Sequence, residues 1–276
     1  MNLNVCAKTT VGRRRENQDT YFYEIFDGPR GCLHAVAAVC DGMGGHEGGQ
    51  TASRLAVEAI ETRLGAIPDD PAQIDSWVTE TLQSIQTVLT QAAQANPALE
   101  DMGTTLVMSL IGEETVWIVN IGDSRAYSIS SEKAELLTRD HSSLQEALDQ
   151  GMYTMEDIQS NEVLRSMSSA ITRYVGPQAN FPPDIYHFPR WAGGWLLLCS
   201  DGLTGNVSDL IISEYELWKY VHGTDRIESA AEALVDLAYQ NGSSDNITVV
   251  LLEIGDPSRA EVSVISNAET NETEIS

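Results

Sequence analysis

Four aspartates sit where apolar, strand-like runs begin or end, and three of them touch a glycine. They are Asp41 in Val39-Cys40-Asp41-Gly42-Met43-Gly44-Gly45-His46, Asp123 in Ile121-Gly122-Asp123-Ser124-Arg125, Asp201 in Cys199-Ser200-Asp201-Gly202-Leu203, and Asp245 in Ser244-Asp245-Asn246-Ile247-Thr248. Strand ends are where a chain can aim carboxylates at a shared point without burying them completely. If a fold brings all four together, ionised carboxylates a few Å apart repel strongly, and a hard cation is what makes their closeness tolerable. Oxygen-only ligation suits Mg²⁺ or Mn²⁺ rather than zinc. Taken singly, an Asp-Gly after a strand reads as a turn, because glycine supplies the positive φ that turns need. Taken as a set, the four point to a two-metal hydrolase.

The apolar runs themselves are short, β-branched and bounded by Gly, Asp or Ser, as strands are: 34–40, 104–111, 115–121, 125–129, 195–199 and 246–254. Between them lie stretches of helical period. Residues 51–64 put Leu55, Ala56, Ala59, Ile60 and Leu64 on one face, 74–95 repeat the pattern from Ile74 to Ala92, and 227–239 do so from Ile227 to Ala238. Only Gly112, Glu113 and Glu114 separate two of the strand runs, a hairpin-length connection that favours antiparallel sheets covered by helices over an alternating parallel fold. The segment 140–183 is more polar and reads as an insertion over the strand ends, a candidate lid. From Gly255 onward apolar residues thin out, so 256–276 are expected to form an acidic, disordered tail after a domain spanning 1–255.

Charge narrows the function. Sixteen basic against 41 acidic residues give a net −25, which argues against nucleic acid or an anionic membrane as partner. No apolar stretch approaches the roughly 18 residues of a membrane span, and Met1-Asn2-Leu3-Asn4 does not open a signal peptide. Cys6, Cys32, Cys40 and Cys199 have no zinc spacing, and Cys40 and Cys199, inside apolar runs, read as reduced core thiols, so a cytoplasmic protein is expected; it is also expected to be a monomer. Arg13-Arg14-Arg15 is conspicuous in so acidic a chain. It reads either as a solvated basic patch or as a phosphate clamp, for which a planar guanidinium is suited.

With these residues in view, the chain resembles the metal-dependent protein serine/threonine phosphatases of the type 2C family, in their compact bacterial form. The resemblance runs from about Val11 to Ile254 and rests on seven motifs in the family's order: Arg14 to Asp19, Asp41 to His46, Met102 to Thr105, Gly122 to Arg125, Asp140 to Ser142, Ser200 to Gly202, and Asp245 to Thr248. It implies a four-layer α-β-β-α sandwich, an α+β fold of two antiparallel sheets flanked by helices, with 140–183 as its flap. It implies that Asp41 bridges two Mn²⁺ or Mg²⁺ ions, with the Gly42 carbonyl on one and Asp201 and Asp245 completing the other. Asp123, with Asp201, holds a third, weaker ion on this reading. Asp19 holds metal-bound water, Arg14 grips the substrate phosphate, and a hydroxide bridging the two ions attacks phosphoserine or phosphothreonine of a signalling protein. No covalent intermediate is required, and no cysteine is followed by arginine at Cys-x5-Arg spacing.

The sequence departs from the family pattern at two places. Gln18 stands where many members have a glutamate, and a neutral amide binds a cation more weakly. Met43 replaces a histidine that serves eukaryotic members as a candidate general acid; His46 either substitutes for it or caps the following helix. Three other readings remain open at this point. Gly44 to Thr51 fits Gly-x4-Gly-x-Thr, but Gln50 replaces the lysine of a nucleotide-binding loop. A phosphatase-like domain could bind phosphoproteins without turnover, or the substrate could be a small phosphomonoester.

Overall fold

The computed structural model describes residues 3–45, 47–161, 163–164, 170–191, 193–205 and 212–255; His46 and the segment 256–276 lie outside them. One strand explains the architecture. β3 (Leu33–Met43) buries both of its faces, which is why it reads as an unbroken apolar run. Ala35, Ala37 and Val39 point one way, into a core shared with a second sheet. Val36, Ala38 and Cys40 point the other way, into a core shared with helices. A period of two along one strand therefore feeds two separate cores, which a sheet packed between another sheet and a helical layer requires.

Among the described residues, every strand pairing is antiparallel. The first sheet is five-stranded in the order β1-β13-β12-β7-β8, from β1 (Leu3–Thr10), β13 (Ile247–Ile254), β12 (Trp195–Cys199), β7 (Arg125–Ile129) and β8 (Ala134–Leu136). The second is eight-stranded. Its centre is β3 between β2 (Asp19–Arg30) and β5 (Leu106–Gly112), followed outward by β6 (Thr115–Ile121) and β11 (Asp184–Pro189). Short strands β4 (Gly103–Thr104), β9 (Val175–Gly176) and β10 (Ala179–Asn180) extend it at one corner. Between the sheets, Val107, Ile118, Leu196, Leu198, Val250 and Leu252 interlock with the small side chains of β3.

Helices α1 (Gly48–Arg63) and α2 (Ile74–Ala95) cover the larger sheet, α2 through Ile74, Trp77, Val78, Ile85 and Leu89. Fully burying each of the aliphatic residues among these is worth about 1.5–3 kcal/mol, so the helix is held by its stripe rather than by local propensity. α3 (Ser143–Asp149), α4 (Met155–Ser160) and α5 (Asp201–Thr204) are short. α6 (Glu214–His222) and α7 (Ile227–Gln240) cover the smaller sheet, burying Leu217, Val221, Ala231 and Leu234 against Leu197, Val249 and Leu251. The four-layer sandwich expected from the sequence is the observed fold. Two details differ. Asp41 lies within β3 rather than at its end, because β4 takes over the pairing at Gly42 and Met43 after β5 turns away. Strands β1, β2, β8, β9, β10 and β11 and helices α5 and α6 were not anticipated. Among the described residues, no helix is long and apolar enough to cross a membrane.

Candidate active site

Both sheets send strand ends to one edge of the sandwich. β3 carries Asp41 and β6 leads into Asp123; β12 runs into Asp201 at the start of α5, and Asp245 precedes β13. All four aspartates line one cavity of about 620 Å³, together with Arg14, Arg15, Gln18, Gly42, Ile171 and Asn246. Asp19 lies across the β2–β3 pair from Asp41, is buried, and accepts a hydrogen bond from the Ser200 hydroxyl at 2.8 Å.

Side-chain clasps hold these strand ends in place. The Asp41 N–H donates to Thr105 Oγ1 at 3.0 Å, and its carbonyl accepts from the Thr105 N–H at 2.8 Å and the Thr104 hydroxyl at 3.0 Å. Asn246 pulls in the loop that carries the arginines: its amide donates to the carbonyls of Val11 and Glu16, both at 2.9 Å, and accepts the Gln18 N–H. Glycine is required where backbones touch. A Cβ on Gly42 would fall 2.1 Å from the Gly49 carbonyl oxygen, and one on Gly202 1.8 Å from that of Asn246. Small residues at these two points let β3 pack onto the start of α1, and let α5, with Asp201, close onto the turn that carries Asp245.

The electrostatics of the cluster are costly. Burial first, and then the charges of Asp19, Asp201, Asp123 and Asp245, hold the Asp41 carboxyl well above the ordinary range. Asp123 is raised likewise, by burial and then by Asp201 and Asp140. Burial pushes Asp19 up to about 7, and burial with Asp245 pushes Asp201 up to about 6. One oxygen each of Asp19, Asp123 and Asp201 is buried without a hydrogen-bond partner. Orphaned, desolvated carboxylate oxygens are what a hard divalent cation satisfies, so the chemistry of the donor set suits Mn²⁺ or Mg²⁺. As they stand, though, the acidic, histidine and cysteine side chains among the described residues form no ready-made group of three that could hold an ion.

Arg14 lines the cavity, and its guanidinium pairs with Asp245 Oδ2 at 2.6 Å. The arginine run divides. Arg13 turns away to the carbonyls of Tyr239 and Gly242 and stacks on the Tyr239 ring, while Arg15 faces the cavity. Arg125 and Asp140, from two different motifs, form a buried bidentate pair at 2.8 and 2.6 Å behind the site. Sequence reasoning noted both motifs and missed the pair, since nothing local to either reports the other. Gln18 lines the cavity and its amide packs against Gly49. The predicted role of His46 falls outside the described residues.

A helix-covered double sheet with carboxylates from both sheets at one edge is the frame of a metal-dependent hydrolase. A family model described as Protein phosphatase 2C matches residues 10–238. The chain belongs to this family. It is similar to the serine/threonine phosphatase stp of Listeria innocua serovar 6a, 31% identical over 223 residues that cover 79% of this chain and 84% of that protein. Among solved structures, serine/threonine phosphatase Stp1 from Staphylococcus aureus superimposes with a TM-score of 0.80 at 30% identity, over 92% of this chain and 96% of that one. The PstP catalytic domain in complex with 2 manganese ions does so with a TM-score of 0.74 at 28% identity, over 92% and 99%.

Proposed function

We propose that this protein phosphatase hydrolyses phosphoserine and phosphothreonine in other proteins, using two Mn²⁺ or Mg²⁺ ions held at the strand-end aspartates. The observation that carries the reading is the convergence of Asp41, Asp123, Asp201 and Asp245 from both sheets on one cavity, with buried carboxylate oxygens lacking partners. In this reading Asp41, the Gly42 carbonyl, Asp201 and Asp245 hold the pair, and Asp123 with Asp201 holds a third ion. When bound, the cations supply charge neutralisation for the phosphoryl oxygens and an activated water for in-line attack.

The chain's own residues do the rest. Asp19, fixed by Ser200, presents an acceptor beneath Asp41 that orients the attacking water. Arg14, on the exposed rim, takes the phosphate oxygens by exchanging its Asp245 partner for the substrate. Residues 1–255 act as the catalytic domain, 140–183 as a flap beside the cavity and 256–276 as a tail, in a cytoplasmic monomer. His46 remains the candidate general acid.

The test is phosphate release from a phosphothreonine peptide by the purified chain, with and without Mn²⁺, and beside p-nitrophenyl phosphate. Release that needs Mn²⁺ and favours the peptide supports the proposal. Preference for the small ester would move the substrate class to phosphomonoesters, and Mn²⁺ binding without any release would make the chain a phosphoprotein-binding regulator.

A further inference from the structure

Asp123 follows a glycine at φ +113°, a conformation that leaves no room for a side chain: a Cβ on Gly122 would lie 2.6 Å from the Thr105 methyl. Backbone preference alone does not fix a glycine, so the position of Asp123 depends on what grips Gly122. One residue does so at both ends. The main-chain N–H of His141 donates to the Gly122 carbonyl at 2.9 Å, and the His141 ring accepts the Gly122 N–H on Nδ1 at 3.1 Å.

With Nδ1 accepting, the ring proton sits on Nε2. That nitrogen faces Asp184 Oδ2 at 3.1 Å, and the other Asp184 oxygen accepts from Arg173 at 3.0 Å. His141 is buried, 3% exposed, while Arg173 reaches the surface. The main chain reinforces the path. The His141 carbonyl accepts the Thr172 N–H at 2.8 Å, the Ser143 N–H donates to the Ala170 carbonyl at 2.9 Å, and Ser142 bridges to Ile171, which lines the cavity beside Asp123. His141 and residues 170–173 both lie within the candidate flap 140–183, His141 at its start. The root of that segment is thus fastened to the histidine that holds Asp123.

We propose that His141 is a positioning residue that couples the Asp123 carboxylate to the flap root through Asp184 and Arg173, so that cation binding at Asp123 and presentation of a phosphoprotein depend on each other. The inference rests on the proposed role of Asp123 as a cation ligand. A ring that merely filled space would need neither the two-sided grip on Gly122 nor the charged pair on its far nitrogen. Outer partners of metal ligands commonly change affinity about 10–100-fold when removed.

Two halves of the ring can be tested apart in the full chain. Asparagine places an acceptor near the position of Nδ1 and glutamine places an amide near Nε2. Mn²⁺ titration by calorimetry is expected to show the weakest site weakened about tenfold or more in His141→Ala and about restored in His141→Asn. Asp184→Asn and Arg173→Ala, both at half-exposed positions, are expected to lower kcat/KM for a phosphothreonine peptide about tenfold while p-nitrophenyl phosphate turnover stays within about twofold. Ring ¹⁵N spectra of His141 should show the Nε2-protonated tautomer. The proposal is overturned if Asp184→Asn and Arg173→Ala treat both substrates as the wild type does, or if His141→Asn is no better than His141→Ala in Mn²⁺ affinity. If His141→Ala fails to fold, the Asn, Asp184 and Arg173 variants decide. Absence of Mn²⁺ binding by the wild-type chain would instead sink the reading of the site, and this inference with it.

Discussion

The two ends of the sandwich are made by the same strands and differ in nearly everything else. β12 enters at Trp195 and leaves at Cys199, so about 13 Å of strand separates the ends. At the Cys199 end lies the cavity of about 620 Å³ with its four aspartates. At the Trp195 end lies a larger one, about 970 Å³, walled by Phe188, Trp191, Trp195, Leu136 and His222. The buried atoms without partners have opposite character: carboxylate oxygens of Asp19, Asp123 and Asp201 at one end, donors on Arg190 and Trp191 at the other. Volume alone would have chosen the wrong end. What marks the site is charge that burial makes expensive, kept where a neutral residue would be more stable.

The largest expected effect breaks that contrast at its source. Asp201→Asn should cut Mn²⁺-dependent phosphopeptide turnover by at least about a hundredfold, since a carboxylate proposed to serve two ions is lost. In chelator the same variant should melt at a higher temperature than the wild type, because a repelling, desolvated charge has gone. An active Asp201→Asn, or one that is less stable in chelator, removes the argument from misfit charge.

Arg14→Ala comes next, at about tenfold to a hundredfold in kcat/KM, with Mn²⁺ affinity retained. Weakened Mn²⁺ binding would mean that Arg14 serves mainly to hold Asp245 in place, as its 2.6 Å pair in this structure allows. The difference between these outcomes could not be read from the sequence. The aspartates could, because each sits at the edge of an apolar run and three of the four touch a glycine. That Arg13 turns away while Arg14 and Arg15 line the cavity is decided by Tyr239 and Gly242, more than two hundred positions away. The same holds for His141, whose ring partners come from β11 and from the turn before Asp123. β11 itself was obscured by prolines at 182, 183 and 189, and β2 by Glu24 and the run Asp27-Gly28-Pro29 that interrupt its apolar pattern, whereas β3, buried on both sides, was plain.

A smaller effect follows from the raised carboxyls. Asp19 and Asp201 have folded-state values of about 7 and 6, above the ordinary 3.8. The folded state therefore holds more protons than the unfolded one through this window, and stability falls as pH rises through it. In chelator, the melting temperature should be higher at pH 5 than at pH 8, and saturating Mn²⁺ should reverse most of the loss. The slope should flatten in Asp201→Asn. A chelated wild type with a flat profile from pH 5 to 8 would mean that the cluster relaxes apart when it is charged.

The smallest expected effect lies at the other end. Trp195 is half-buried, meets His222 edge-on with ring centroids 4.8 Å apart, and packs against the core beneath α6 and α7. Trp195→Ala should cost about 1–3 kcal/mol of stability, less than a fully buried tryptophan because part of the ring already faces solvent. Turnover should stay within about twofold, since β12 is clamped on both sides by β7 and β13 before it reaches Asp201. That clamp makes the two ends energetically separable: a loosened Trp195 end is held in register by paired strands long before Cys199. A large loss of turnover in a variant that still folds would show that strain does travel the length of β12, and the two ends would then have to be treated as one site.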